Sequence, residues 1–183
     1  MKLLFTGDVC FNYRPDVDAE KSREILSALK PVFDSADLRI MNLETPIFDE
    51  GVGTKITKSG PNLIGRPHNL GFLTEAGCDC AILANNHTGD YGDDALYQTL
   101  EYLDRASIPY CGAGKDIQDA YRAYRYTKGD VTFSVIAVCE NEFGTAEYNK
   151  PGSAGFSMEL LSDAIRRERD VSEFVIVVYH GGC

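Results

Sequence analysis

Four apolar runs in this chain stop abruptly at polar or ionisable residues. Residues 2–6 run into Gly7-Asp8, 38–41 into Asn42-Leu43-Glu44, 81–84 into Asn85-Asn86-His87, and 174–179 into His180-Gly181-Gly182. Short aliphatic runs of this kind read as strands, and helical periodicity separates most of them. The alternation predicts an α/β fold with helices layered over a mixed sheet, or over two sheets if the later hairpin forms its own. In such sheets the carboxyl ends of strands converge on one rim, where ligands bind. The four exits are therefore expected to be neighbours in space.

Between the runs, Ile25, Leu26, Leu29 and Phe33 predict one helix over 18–33, capped by Asp16 or Asp18. Residues 45–66, with Gly51, Gly53, Gly60, Gly65, Pro46 and Pro61, predict a long loop or irregular hairpin. Pro67 suits the first turn of a helix to about Ala76, with Gly77 as its left-handed C-terminal cap. Asp93 is the expected cap of a helix carrying Leu96, Leu100 and Leu103. A short strand is expected at 108–111, a tight loop at 112–114 and a helical turn at 116–121. Residues 124–127 and 131–138 predict a hairpin about Lys128-Gly129-Asp130. Residues 158–169 read as a surface helix, and 174–179 as a strand buried on both faces.

The 183 residues fit a single domain spanning 1–183, and a net charge of −10 lacks the basic footprint of a nucleic-acid binder. No nucleic-acid partner is expected. Acidity leaves anionic substrates open, because a bound divalent metal inverts the local field. No stretch approaches the roughly 18 apolar residues of a membrane span, and the first residues are too short an apolar run for a secretory signal, so the chain as given reads as cytoplasmic. Six cysteines without a CxxC pair read as buried thiols.

Carboxylate, amide and imidazole at the exits suit a divalent metal such as manganese, iron or zinc rather than a thiolate site. Each residue also has a plainer reading. Asp8 can stabilise a turn, Asn85 and Asn86 can be turn residues, Glu44 can be solvated, and His87 or His180 can be structural. Their coincidence at four exits favours a site. Lys55, Lys58, Arg66 and His68, in or beside the long loop, offer cations to an anionic substrate or form a solvated surface. The amides of Gly112-Ala113-Gly114 can bind an anion or simply turn the chain.

The motifs GDV at 7–9, NLETP at 42–46, ANNHTGDYG at 84–92, GAGKD at 112–116 and YHGG at 179–182, in this order, resemble the CapA-type poly-gamma-glutamate capsule synthesis proteins. That family belongs to the calcineurin-like metallophosphoesterase superfamily, so the resemblance implies a layered sandwich of mixed β-sheets flanked by helices. The resemblance implies metal ligation by Asp8, Glu44, Asn86 and His180. His87 would be the general acid near the leaving oxygen, with Asp90 orienting it or the following turn. Asn42, Asn85, Lys58 and Arg66 are candidate substrate contacts. It further implies an anionic polymer or phosphoester substrate, other capsule-synthesis proteins as partners, and a two-metal site with ions about 3.5–4 Å apart in the full-length protein.

Two departures stand out. Cys10 replaces the histidine of the usual Asp-x-His pair, and the family's late Gly-x-His-x-His-like motif lies beyond residue 183. The chain is thus expected to be the N-terminal part of a longer domain, incomplete at the C-terminus. A non-catalytic polymer-binding or assembly subunit, and a general phosphodiesterase or phosphatase, are the alternative readings.

Overall fold

The computed structural model describes residues 1–12 and 14–181. The Gly182 of the fourth exit and the Cys183 thiol lie outside the described residues. In chain order the strands are β1 (Leu3–Val9), β2 (Leu38–Leu43), β3 (Cys80–Ile82), β4 (Tyr110–Cys111), β5 (Ala113–Gly114), β6 (Tyr124–Lys128), β7 (Val131–Cys139), β8 (Gly152–Ser153) and β9 (Phe174–His180). The helices are α1 (Ala19–Leu26), α2 (Lys30–Asp34), α3 (Leu70–Glu75), α4 (Gly92–Arg105), α5 (Ile117–Ala120) and α6 (Met158–Arg169).

Strands β1 to β4 form one parallel sheet in that order. A second sheet has the order β6-β7-β9, with β6 and β7 antiparallel and β7 and β9 parallel. β5 and β8 form a small antiparallel pair. Period-two alternation along β2 and β7 decides what lies between the sheets. Leu38 and Ile40 pack against Val135 and Ala137 in one buried cluster, so the two sheets stack face to face. The opposite faces carry the helices. Met41, Leu43 and Ala81 meet Leu26, Leu73, Leu96 and Leu100 on one side, and Ile136 and Val138 meet Leu161 and Ala164 on the other. This is a mixed α/β sandwich in four layers.

Several expectations change in detail. The helix expected over 18–33 breaks into α1 and α2, because Pro31 cannot continue a helix and sits instead in the first turn of α2. Asp18 does cap α1, accepting from the Lys21 amide at 2.9 Å. Gly77 takes the expected left-handed conformation after α3, at φ 67°. Pro67 opens a 3-10 turn, Pro67–Asn69, before α3. Asp93 is not a cap: α4 starts at Gly92, and Asp93 and Asp94 lie in its first turn, where they favour the helix dipole. Only Gly112 of the predicted tight loop turns, at φ 89°; Ala113 and Gly114 pair with β8.

The 174–179 run is not buried on both faces. β9 pairs with β7 alone among the described strands, and Phe174, Val177 and Tyr179 are 54%, 40% and 56% exposed. Cys78, Cys80, Cys111 and Cys139 are buried or partly buried as expected, and burial pushes the Cys78 thiol up to about 12. Cys10 is exposed. No helix among the described residues is long and apolar enough to cross a membrane.

The surface helix α6 carries one buried carboxylate. Glu168 accepts two bonds from Arg125, at 2.7 and 3.0 Å, and one from the Ser134 hydroxyl at 2.6 Å. The arginine holds its carboxyl below the usual range. A depressed folded-state value stabilises the protein above the unfolded pKa of about 4.3, and that contribution is lost as pH falls through the folded value. Glu168→Gln is therefore expected to cost about 1–3 kcal/mol in urea melts at pH 7. The loss should shrink as the pH is taken below about 4.

Candidate functional site

Parallel register brings the exits together. Asp8 pairs with Asn42 and Asn42 with Ile82, while β9 ends at His180 beside Cys139 of β7. Asp8 lies within β1 and Asn42 within β2, rather than in the loops beyond. The Asn42 amide donates to Asp8 Oδ1 at 2.7 Å and lies 3.3 Å from His180 Nδ1. His180 Nδ1 is 3.8 Å from Asp8 Oδ1.

Asn85 fixes this arrangement from below. Its amide donates to Asn42 Oδ1 at 3.3 Å and to the Leu43 carbonyl at 3.0 Å, which sets the direction of the Asn42 side chain. Its own Oδ1 accepts from the His87 amide and the Thr88 hydroxyl, both at 3.0 Å, so the chain leaves the β3 strand in an Asx turn. Asn85 is fully buried and is scaffold, not a substrate contact.

The Asx turn delivers a second group of side chains. His87 Nδ1 lies 2.8 Å from Asp90 Oδ2, and His87 Nε2 lies 3.9 Å from Glu44 Oε1. Asp90 Oδ2 also accepts from the Leu63 amide at 2.6 Å. The Lys58 amine forms an ion pair with Asp90, their side chains 1% and 0% exposed. Lys58 therefore offers no free cation to a substrate.

Arg66 is also placed otherwise than predicted. Its guanidinium donates to the Phe48 carbonyl at 3.2 Å and lies over the Phe48 ring, while its amide donates to Asn69. His68 Nε2 lies 2.8 Å from the Pro15 carbonyl. Arg66 thus serves the packing of the long loop and His68 ties the turn before α3 to Pro15, whereas Lys55 is exposed.

The loop after β7 was missed at the level of sequence. Glu142 Oε2 accepts from the Asn86 amide at 3.0 Å, and the Phe143 ring lies 5.7 Å from the Lys58 nitrogen. Two glycines permit this approach, since a Cβ on Gly89 would stand 2.8 Å from Gly144 Cα. The signal was present: β7 is a fifth apolar run with a polar exit, Glu140-Asn141-Glu142.

The oxygen and nitrogen donors come in pairs, Asp8 with His180 and Glu44 with His87. Among the described residues no three His, Cys, Asp or Glu side chains gather closely enough to hold a metal by themselves. Asn86 adds a neutral donor of another kind. Its Oδ1 is buried and has no hydrogen-bond partner, a costly state for an amide oxygen without a cation or donor opposite it.

This sandwich, with a polar rim at the ends of its strands, has the fold of a solved phosphatase. All of the chain superposes on 56% of the crystal structure of a novel phosphatase from Mycoplasma pneumoniae, with a TM-score of 0.54 and 17% identity. Residues 2–183 match the family described as bacterial capsule synthesis protein PGA_cap, and the chain belongs to that family. It is 24% identical over 183 residues to the PGA biosynthesis protein CapA of Bacillus subtilis (strain 168), covering 97% of this chain and 48% of that protein. It is 23% identical over 161 residues to the capsule biosynthesis protein CapA of Bacillus anthracis, covering 84% and 39%. The chain thus spans about half the length, or less, of these relatives.

Proposed function

We propose that the rim is part of a metal-dependent hydrolase site of the phosphoesterase type, in a protein that works in synthesis or export of an anionic capsule polymer such as poly-gamma-glutamate. The observation that carries this reading is the buried, unpartnered Asn86 Oδ1, on the same strand exit as His87, whose Nε2 lies 3.9 Å from Glu44. Asp8, Glu44, Asn86 and His180 would hold the metal, manganese, iron or zinc. A divalent ion bound there supplies Lewis acidity and an acidified water.

The chain's own residues do the rest. Asn86 contributes an oxygen without adding charge to an already acidic rim. Asp90 grips His87 at Nδ1, which leaves Nε2 as the nitrogen that faces Glu44 and can carry a proton to a leaving oxygen. Glu142 holds the Asn86 amide nitrogen, so that Oδ1 is the free atom. Partners among other capsule-synthesis proteins belong to the same proposal.

A second reading, a non-catalytic polymer-binding subunit, is favoured by the donors meeting only in pairs. The full-length protein, stripped of metal and reloaded with Mn²⁺, Fe²⁺ or Zn²⁺, separates the two. Metal-dependent cleavage of bis(4-nitrophenyl) phosphate or a gamma-glutamyl polymer supports the hydrolase. Polymer binding without cleavage under every metal supports the subunit.

A further inference from the structure

We propose that Lys58 is a positioning residue for His87, holding the ring so that Nε2 faces the rim; this rests on the reading of His87 as the proton donor. A lysine amine is rarely buried without a partner, and an apolar side chain would fill such a place at less cost in desolvation. Here the amine lies against three polar groups. Besides the Asp90 carboxylate, its Nζ lies 3.1 Å from the Asn86 carbonyl and 3.1 Å from His87 Nδ1. Because His87 Nδ1 donates to the Asp90 carboxylate, it cannot also accept from the ammonium, so the lysine acts on the ring through its ion pair with Asp90 and its bond to the Asn86 carbonyl.

His87 Nδ1 is thus held by Asp90 Oδ2, with the Lys58 amine packed beside it at 3.1 Å. Asp90 in turn is fixed at its other oxygen by the same amine. Neither carboxylate nor imidazole can rotate without breaking a contact that burial makes expensive.

The long loop is built to deliver this lysine. The Thr54 and Ile56 amides donate to the carbonyls of Tyr91 and Asp90, and the Asn62 amide group donates to the Asp90 carbonyl at 3.0 Å. Gly53, at φ 70°, lies so close to the Tyr91 carbonyl that a Cβ would stand 2.4 Å from it. Residues 53–63 are strapped to the 87–91 turn on both sides of Lys58. A solvated loop would need none of these bonds.

The test uses Lys58→Met in the full-length protein, which keeps the stem and removes the charge. Ring ¹⁵N signals of His87, assigned with His87→Ala, report the ring without requiring turnover. The wild type is expected to show one fixed tautomer, and Lys58→Met an averaged pair; unchanged ring signals would overturn the proposal whatever the rates. In the Mn²⁺-loaded protein, kcat is expected to fall roughly 10–100-fold on an alkyl phosphodiester and only a few-fold on the nitrophenyl ester, whose leaving group needs no proton. KM should hold, and Lys58→Met should add nothing to His87→Ala. Equal losses on both esters would reduce Lys58 to packing. If Lys58→Met fails to fold, Lys58→Gln, which leaves Asp90 a neutral donor, is expected to give the same ring and ester pattern. Should the wild type cleave neither ester, the hydrolase reading fails, while the ring signals still decide the role of Lys58.

Discussion

Replacing His87 with alanine is expected to lower kcat on an alkyl phosphodiester by about 10²–10⁴-fold, the range a positioned general acid supplies. The same change should leave metal content untouched. Its Nε2 is 3.9 Å from Glu44, and its other nitrogen is committed to Asp90 rather than to the Asp8–His180 pair. Activity should be restored in part by a leaving group that departs without a proton. Loss of metal in His87→Ala, measured by elemental analysis, would mean that the imidazole is a ligand instead.

The largest effect on stability is expected from Asp90→Ala. It removes the carboxylate opposite a lysine whose side chain is 1% exposed, and leaves the Leu63 amide without its acceptor. Stranding one member of a buried ion pair costs roughly 3–5 kcal/mol, because the remaining charge is neither solvated nor paired. Urea denaturation should show a lower midpoint with an unchanged slope. The Lys58→Met/Asp90→Ala double variant should be more stable than Asp90→Ala alone, since no unpaired charge remains. A loss below about 1 kcal/mol would place the pair among solvated surface ion pairs instead.

The rim was legible in the sequence because strand ends are where apolar patterning stops, and parallel strands stop together. Asp8, Asn42, Glu44, Asn86, His87 and His180 all stand at such ends. The direction of each side chain was less legible. Asn42 and Asn85 look alike as exit amides, yet alternation along β2 leaves Asn42 against Asp8 and His180, while the Asx turn folds Asn85 into the interior. Lys58 and Arg66 are both loop cations whose partners lie far along the chain. Nothing in local composition distinguishes a lysine that meets Asp90 from an arginine that meets Phe48.

Other departures have similar causes. Glu142 reaches Asn86 across 56 residues through a contact between two glycines, which leaves no periodic trace. The FVIVVY run has the composition of a central strand, but composition does not reveal how many neighbours a strand has; β9 has one among the described strands. The break between α1 and α2 was readable from Pro31, whose ring competes with the helical spacing of Ile25, Leu29 and Phe33.

Manganese binding to the full-length protein, followed by the loss of the free-ion EPR signal in wild type and in Asn86→Ala, tests the metal site most directly. The account predicts saturable binding by the wild type and at least a roughly tenfold weaker affinity in Asn86→Ala, the effect of removing one ligand oxygen. Absence of binding, or equal affinity in the two proteins, would contradict it.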